Sequence, residues 1–299
     1  MAKKIKERSK NSKLFNVLGV CLVFFYIALV FIPALWGIMQ AFKSRFNWMY
    51  DRIGFPNAPT LKNLELFFNY FFITVIKNGI PEKVYFEKMV LNTILFAGGV
   101  SVASFIVKFT VAYGLYKYSH FKASGIIFSV ILIFMNISLQ GSLASALKLY
   151  HQLGLYDNMV GFWFLQAHPL GFFFLVLHSS FYAIPKATFE AAEIDGANRW
   201  QLMFKIGLPL IKGTVVLFFL TEFINAWNNY MDVLLYLPSY PTVGYGLYMF
   251  NLASNPPEIS HSTVKLMGAL ICALPMLIVL IVFGNKLMQN VSISEGVKE

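Results

Sequence analysis

Six long apolar stretches divide this chain of 299 residues, and they constrain its fold more than any other feature. A helix needs about 20 mainly apolar residues to cross the roughly 30 Å hydrocarbon core of a bilayer. Because a spanning segment must satisfy its backbone hydrogen bonds internally, we expect an all-α membrane protein with six transmembrane helices. Apolar residues make up 58% of the chain, and the mean hydropathy of +0.63 excludes an ordinary soluble domain. The predicted spans are 15–39, 93–116, 124–146, 159–183, 206–230 and 266–288.

The basic residues predict the orientation of these spans. The N-terminal tail, 1–14, has six Lys or Arg residues against one acid, an excess that holds a tail in the cytoplasm. With six spans, the C-terminal tail, 289–299, is then also cytoplasmic. The loop 231–263 contains no Lys or Arg and is placed outside. The first loop, 40–92, is placed outside despite its seven basic residues, because long loops follow the rule less strictly.

A polar segment rich in small residues lies between the fourth and fifth predicted spans. It reads Glu190-Ala191-Ala192-Glu193-Ile194-Asp195-Gly196, and Ile206-Gly207-Leu208-Pro209 follow after nine further residues. Small side chains let another backbone approach closely, so the segment is predicted to be a docking element that faces water. It resembles, at every fixed position, the E-A-A-x3-G-x9-I-x-L-P signature of the inner-membrane permease subunits of ABC importers.

Shorter matches along nearly the whole chain resemble the maltose-type, carbohydrate-uptake branch of that family. In chain order they are Asn92-Thr93, Ala112-Tyr113, Leu149-Tyr150, Leu153-Gly154-Leu155, Trp227-Asn228, Leu274-Pro275 and Glu295-Gly296-Val297-Lys298. Two positions depart from the family pattern. Gly213 stands where the signature often ends in proline, and residues 136–138 replace a proline that is common in the third span.

The resemblance implies a type I importer permease, in which a core, 93–288, contains five spans and a cytoplasmic coupling helix, 186–205. Such a subunit is one half of a pathway and works with a second permease, usually as a heterodimer. Two cytoplasmic ATPase subunits and an extracytoplasmic solute-binding protein complete the assembly. ATP and Mg belong to the ATPases, so this chain is expected to bind no cofactor and to catalyse no reaction. The implied location is a bacterial-type inner membrane.

The residues implied to carry the coupling to the ATPase are Glu190, Ala191, Ala192, Asp195, Gly196, Ala197, Leu208 and Pro209. Pro185 is expected to close the fourth span, and Thr188 to cap a short helix with Glu190 in its first turn. Gly196 is expected to allow a bend, and Asp195 to cap a second short helix.

Polar residues in the fifth predicted span are the pathway candidates: Glu222, Asn225, Asn228 and Asn229. Glu222 lies about 24 Å from the cytoplasmic end of the span, at 1.5 Å per residue. A charge there costs about 2.5–3.5 kcal/mol, so the group is expected to avoid lipid. A sugar-facing stripe and a polar contact at the permease dimer interface are equal alternatives. Lys108, in the second span, is expected to snorkel towards the cytoplasm, and its depth argues against direct pairing with Glu222.

Two further segments are predicted to contact partners. In the outer loop after the fifth span, the candidates are Tyr240, Tyr245 and Tyr248, on a loop made flexible by Gly244 and Gly246. A contact with the solute-binding protein is implied by the family, and ordinary interfacial packing is the alternative. In the tail, Gly296, Val297 and Lys298 are expected to reach the ATPase, since eleven extended residues cover up to about 36 Å.

Other classes of function have little support in the sequence. Two cysteines without paired spacing and five histidines without ligand spacing predict no metal site. The chain has no G-x-x-x-x-G-K-[ST] phosphate loop, and its net charge of +10 is explained by the N-terminal tail rather than by nucleic acid. We therefore expect the permease subunit of an ATP-driven importer for a sugar, with an oligosaccharide favoured. The alternatives are another solute, such as a glycerol-phosphate compound, and an ATP-independent secondary transporter.

Overall fold

The computed structural model describes residues 2–77, 79–137, 143–252, 256–257 and 259–295. In these ranges the first half of the chain forms α1 (Ala2–Ala41), α2 (Arg45–Tyr50), α3 (Lys62–Tyr70), β1 (Phe72–Lys77), β2 (Ile80–Tyr85), α4 (Phe86–Lys117), α5 (Lys122–Asn136) and α6 (Leu143–Gln152). The second half forms α7 (Met159–Gln166), α8 (Phe172–Tyr182), α9 (Lys186–Ile194), α10 (Arg199–Gln201), a π-helical turn (Leu202–Gly207), α11 (Leu208–Leu210), α12 (Lys212–Asn228), α13 (Met231–Tyr236), α14 (Val243–Leu252) and α15 (Ser262–Glu295).

The predicted helical membrane fold is confirmed. Within the described residues, three helical segments are long and apolar enough to cross a bilayer: Phe15–Ala41, Phe86–Lys117 and Ser262–Val282. The number rises to five if each of two bent helix pairs is one span. These pairs are α8 with α9, bent by 67°, and the Arg199–Leu210 segment with α12, bent by 79°.

Interruptions set the third, fourth and fifth predicted spans apart from the long helices. The third, 124–146, contains a helix that ends at Asn136. The fourth, 159–183, is divided between α7 and α8, because Pro169 has no N–H to donate and disfavours helical backbone at the residue before it. Gly171 then adopts a φ of 120° at the start of α8. The fifth, 206–230, runs as a regular α-helix only from Lys212.

The chain divides into two compact units, of which the first comprises Met1–Tyr70 and Ala253–Ile271. A buried polar network in this unit lies at the C-terminal end of α1. The fully buried Lys43 donates through Nζ to the Asp51 carbonyl over 2.6 Å. Asn63 Nδ2 donates to the carbonyls of Ala41 (2.7 Å) and Lys43 (2.8 Å), groups that a helix end leaves without intrahelical partners.

A β-hairpin follows the first unit and was not predicted from the sequence. Strands β1 and β2 pair antiparallel with Phe72 opposite Tyr85 and Lys77 opposite Ile80. Val75 and Val84 are buried, while Ile76 and Ile80 are exposed near the tip. The apolar run 66–76, which is too short to span a bilayer, belongs partly to α3 and partly to β1.

In the second unit, Phe71–Leu252 with Cys272–Glu299, helix α4 is the central element and packs against α7, α8 and α12. Aromatic rings fill the space between these helices. The ring centroids of Phe105 and Phe218 are 5.4 Å apart, and those of Phe109 and Phe181 are 5.5 Å apart. Near the other end of α4, Phe96 lies 5.5 Å from Phe162 of α7. Ring pairs at these distances add about 0.5–1.5 kcal/mol each beyond the area they bury.

Candidate functional site

The segment with the permease signature forms a helix, a bend and a second helix. Helix α9 ends at Asp195, and Gly196 follows with a φ of 85°, a backbone conformation that glycine adopts without steric cost. The chain then turns into α10, which begins after Asn198. The Asn198 side chain accepts from the Gln201 N–H, and the Gln201 side chain accepts from the Asn198 N–H. The predicted bend at Gly196 therefore has the expected backbone geometry.

The helix caps predicted in this segment are wrong. Pro185 occupies the N-cap position, so α9 begins at Lys186 and Thr188 lies inside the helix. Glu190 is consequently beyond the first turn. The second helix is capped by Asn198, and Asp195 is the C-cap of α9. The reason is that Asn198 and Gln201 make a reciprocal capping box, which satisfies two backbone donors where Asp195 satisfies none.

One side of the helix–bend–helix segment is buried and the other is exposed. Phe189 is buried, and its ring lies 5.5 Å from Tyr116 and 6.2 Å from Tyr113 of α4. Ala192 and Ala197 are partly buried and pack against the same core. The coupling residues that face outward are Glu190, Ala191, Asp195, Gly196 and Pro209, whereas Leu208 is partly buried. Ala191 and Ala192 therefore do not present a single outward face.

Two large apolar side chains complete the exposed surface of this segment. Ile194 is 86% exposed and Trp200 is 68% exposed, and the Trp200 ring stacks on Phe204 with 5.9 Å between centroids. The sequence analysis missed these two residues. The signal was present in the sequence. Large apolar side chains among charged and small residues, in a segment predicted to face water, indicate a surface that contacts a partner.

An ion pair joins this segment to α4. The Lys117 ammonium donates to the Glu193 carboxylate, linking the last turn of α4 to the exposed side of α9. Both side chains are partly exposed, so the pair contributes on the order of 0.2–1 kcal/mol. Together with Phe189, the pair gives α9 a polar and an apolar attachment to the same helix end.

At the other end of α4 the second unit contains a polar cleft of about 190 Å³. It is lined by Phe96, Val100, Phe162, Gln166, Glu222, Asn225, Ala226, Asn229 and Asp232. Three of the four predicted pathway residues, Glu222, Asn225 and Asn229, therefore share one cavity. The fourth, Asn228, is exposed outside it and donates to the Ile224 carbonyl over 3.0 Å.

The cleft includes two polar residues that the sequence analysis missed. Gln166 comes from the end of α7, and Asp232 from the start of α13. Asn229 Nδ2 donates to Asp232 Oδ2 over 2.6 Å, and the Asp232 N–H donates to Asn229 Oδ1 over 3.0 Å. Burial raises the pKa of Asp232 above its ordinary value, and the bond from Asn229 offsets this in part. Only the tertiary fold brings these residues to Glu222.

Lys108 does not snorkel. It is 5% exposed, and its ammonium donates to the Ser104 hydroxyl one turn back along α4. The Phe218 ring lies 5.9 Å from Nζ, and a Cβ placed on Gly171 would be 3.6 Å from the Lys108 Cε. Side chains on a helix lean towards its N-terminus, which carries this ammonium away from the expected cytoplasmic end of α4.

The tyrosine-rich segment after the fifth span is a helix rather than a flexible loop. Gly246 lies in α14, where a Cβ would stand 2.6 Å from the Met89 sulfur, so the glycine allows the close approach to α4 rather than a flexible loop. Tyr245 is buried, so it is not available to a partner, and Tyr240 packs against the same core. Tyr248 stacks on Tyr230 with 4.3 Å between ring centroids.

Side-chain hydrogen bonds hold the start of α14 against α4. Asn92 Nδ2 donates to the Pro241 carbonyl over 3.0 Å, and Thr93 Oγ1 accepts from the Val243 N–H over 2.9 Å.

The predicted tail contacts, Gly296, Val297 and Lys298, lie outside the described residues. Among the residues that are described, no group of three or more His, Cys, Asp or Glu side chains could hold a metal ion.

Known permease proteins are similar to this chain in sequence. A probable ABC transporter permease protein of Pyrococcus horikoshii is 30% identical over 152 residues, which are 50% of this chain and 54% of that protein, so the match spans about half of each. The arabinooligosaccharides transport system permease protein AraQ of Bacillus subtilis is 24% identical over 97% of this chain and 99% of its own length. The sn-glycerol-3-phosphate transport system permease protein UgpE of Yersinia pestis is 24% identical over 72% of this chain and 71% of its own.

A solved structure matches at the level of the fold. It is the crystal structure of a bacterial ABC transporter involved in the import of the acidic polysaccharide alginate, with a TM-score of 0.75 and 20% identity. The match covers 91% of this chain and 96% of the chain in that structure. The family model described as a binding-protein-dependent transport system inner membrane component matches residues 111–292, more than half of the chain. This chain therefore belongs to that family of ABC transporter permeases.

Proposed function

We propose that this chain is the permease subunit of an ATP-driven ABC importer, and that it forms half of the translocation pathway for a sugar, with an oligosaccharide favoured. One observation carries the proposal: the bend and the cleft are joined by consecutive helical segments, with a 79° change of direction before α12. From Gly196 the chain continues through α10, the π-helical turn and α11 into α12. Glu222 of the cleft lies ten residues after Lys212, about 15 Å along α12.

The exposed bend is suited to docking on an ATPase subunit. Gly196 and Ala191 leave the backbone accessible, and Ile194 and Trp200 supply apolar contact area. When two ATPase subunits close on ATP and Mg, a displacement of this surface passes into α12 along the chain. It also passes into α4 through the Lys117–Glu193 pair and the buried Phe189. Because α4 and α12 both line the cleft, its access changes with the state of the ATPases.

The composition of the cleft suits a polyhydroxylated solute. The amides of Gln166, Asn225 and Asn229 both donate and accept, and the carboxylates accept from hydroxyl groups. Phe96 and Phe162, both almost fully buried, close the apolar side of the cleft, so the polar side chains supply the contacts to the solute. AraQ, which aligns over nearly the whole chain, is named for arabinooligosaccharides, and this supports an oligosaccharide. UgpE is named for sn-glycerol-3-phosphate, and this supports a glycerol-phosphate compound as the second candidate for the solute.

The proposed partners are a second permease subunit, with a heterodimer favoured, two ATPase subunits and an extracytoplasmic solute-binding protein. This chain itself is non-catalytic and binds no cofactor. We propose an inner-membrane location with both termini cytoplasmic. Tyr248 with Tyr240 remains the candidate surface for the binding protein, and Gly296, Val297 and Lys298 remain candidates for contact with the ATPase.

The test is ATP-driven uptake by the complex assembled from this chain and its partner subunits. Gly196→Val introduces a β-branched side chain at a φ of 85° and should reduce uptake to background, because the bend can no longer form without strain. Gly125→Val is the matched control, since Gly125 lies in α5 with open space around it, and it should leave uptake unchanged. Normal uptake by the Gly196 variant, with the complex fully assembled, would contradict the coupling role.

A further inference from the structure

The charges that line the cleft are of one sign. Glu222 and Asp232 contribute carboxylates, three residues contribute amides, and the rest of the lining is apolar. No Lys, Arg or His belongs to the lining among the residues that the structure describes. Of the described residues of this chain, those that a solute meets in the cleft are hydrogen-bond acceptors and amides, and none of them has a cationic side chain.

A cationic side chain, Lys108, lies near the cleft but is not part of its lining. Lys108 interacts electrostatically with Glu222, but its ammonium is bonded to Ser104 and enclosed by the Phe218 ring and the Gly171 backbone. His168, between α7 and α8, lies within electrostatic range of Lys108 and is likewise outside the lining. One buried ammonium can pair with at most one of the two carboxyl groups, so the acidic side chains at the cleft outnumber the cation near them.

Such a site discriminates by charge. We propose that this cleft admits neutral polyhydroxylated solutes and rejects anionic ones, such as phosphorylated or uronate sugars, with Glu222 and Asp232 as the residues that set this selectivity. The inference rests on the proposed function and narrows its substrate class. A phosphate or carboxylate in the cleft would lose its hydration next to two like charges, and like charges brought close in a protein cost several kcal/mol. A neutral saccharide instead donates its hydroxyls to the same carboxylates.

The same reasoning separates the two solutes left open above. A glycerol-phosphate compound carries an anionic group that needs an Arg, a Lys or a helix N-terminus as its partner. The described lining of the cleft contains side-chain amides and carboxylates, and no Arg or Lys. An uncharged oligosaccharide requires none of these groups.

The local charge can be measured with thiol reagents that differ in charge. In the assembled complex, Cys21 and Cys272 are replaced by Ala, and Asn225→Cys places one thiol of this chain in the cleft. The reaction rates with a trimethylammonium and a sulfonate methanethiosulfonate reagent are then compared, each normalised to its rate with free cysteine. The cation should react faster. Adding Glu222→Gln and Asp232→Asn should lower the cation-to-anion ratio by about tenfold, the effect expected of two nearby charges partly screened by solvent.

The control is Glu87→Gln, which removes an exposed carboxylate outside the cleft and should leave the ratio unchanged. A normalised ratio near one in the parent, or a ratio insensitive to the two cleft substitutions, would overturn the inference. This measurement does not require transport. Failure of all ATP-driven sugar uptake with a high ratio would therefore count against the proposed function and leave the electronegative cleft standing.

Discussion

At the scale of single residues, Asp232 occupies a position that is unfavourable for its charge. Burial is the largest influence on its carboxyl and raises its pKa above the ordinary value of 3.8, while the bond from Asn229 acts in the opposite direction. A raised folded-state pKa means that the native state holds this proton more tightly than the unfolded state does. Stability is therefore lost as pH rises from the unfolded pKa through the folded pKa, and the ionised group is a net cost at neutral pH.

Asp232→Asn should consequently separate stability from function. The amide oxygen can still accept from Asn229, and the charge penalty is gone, so the midpoint of thermal unfolding at pH 7 should stay the same or rise by up to about 4 °C. Sugar uptake should fall, because one of the two cleft carboxylates is lost. The stability difference from the parent should shrink as pH falls through the raised pKa.

The exposed Glu87→Gln serves as the reference for a carboxylate removed elsewhere. Its uptake should not change, and its unfolding midpoint should stay the same or fall slightly, because Glu87 lies in the first turn of α4, where a negative charge is favourable. Thermal unfolding of the purified complex and uptake into vesicles measure the two quantities. If the midpoint of Asp232→Asn lay several degrees below that of the parent, ionised Asp232 would stabilise the fold, and burial of its charge would not be a net cost.

The sequence located part of the cleft and not the rest for a definite reason. Glu222 and Asn225 lie in α12 and Asn229 is its C-cap, and the helical repeat places them on one face whatever the tertiary structure is. Gln166 and Asp232 lie on two other helices, and their approach to Glu222 depends on how α7, α12 and α13 pack. A single sequence contains no local signal for such an approach.

At the scale of elements, turn chemistry explains both the successes and the failures of the sequence analysis. The bend was predictable because Gly196 is the residue type that tolerates a positive φ. The caps were not, since Asp195 and Asn198 are both good capping residues and only the partner at Gln201 decides between them. The hairpin β1–β2 had a signal, Asn78-Gly79 between two β-branched runs, which the predominance of apolar spans obscured.

The attachment of α9 to α4 can be tested by exchanging its charges. Lys117→Glu alone or Glu193→Lys alone places like charges together and should weaken the stimulation of ATP hydrolysis by the loaded binding protein, because α9 is less firmly held. The exchange of both residues restores opposite charges and should recover most of the stimulation. For an exposed pair the coupling energy between the two sites should be about 0.2–1 kcal/mol.

Lys186→Glu, at the exposed start of α9, controls for a general effect of charge on this surface. Lys186→Glu should have the same effect on the stimulation of ATP hydrolysis in the parent and in the protein with both charges exchanged. If the double exchange performs as poorly as the worse single variant, the pair does not attach α9 in the way described.

At the scale of the whole molecule, the predicted helical membrane fold and the family are confirmed. Hydropathy did not predict which of the spans are interrupted. Hydropathy reports where apolar residues are, and it cannot tell one straight helix from two helices joined by a break. The fourth apolar stretch contains Pro169 and Gly171, and the fifth begins in the π-helical turn, so both are interrupted. The break before α12 changes the direction of the chain by 79°, and α12 then runs to the cleft.

This arrangement predicts that the ATPases control access to the cleft through the bend. In the background that carries Asn225→Cys, adding ATP and Mg to the assembled complex should change the rate at which an uncharged thiol reagent reacts with this residue, by about threefold or more, since α4 and α12 both line the cavity. Gly196→Val should abolish that change without altering the rate in the absence of nucleotide, because the cleft itself is intact and only the connection is lost. Gly125→Val should respond to ATP as the parent does. A Gly196 variant that retains the full ATP-dependent change would show that the signal reaches the cleft by another route, and the path through α10, α11 and α12 would have to be abandoned.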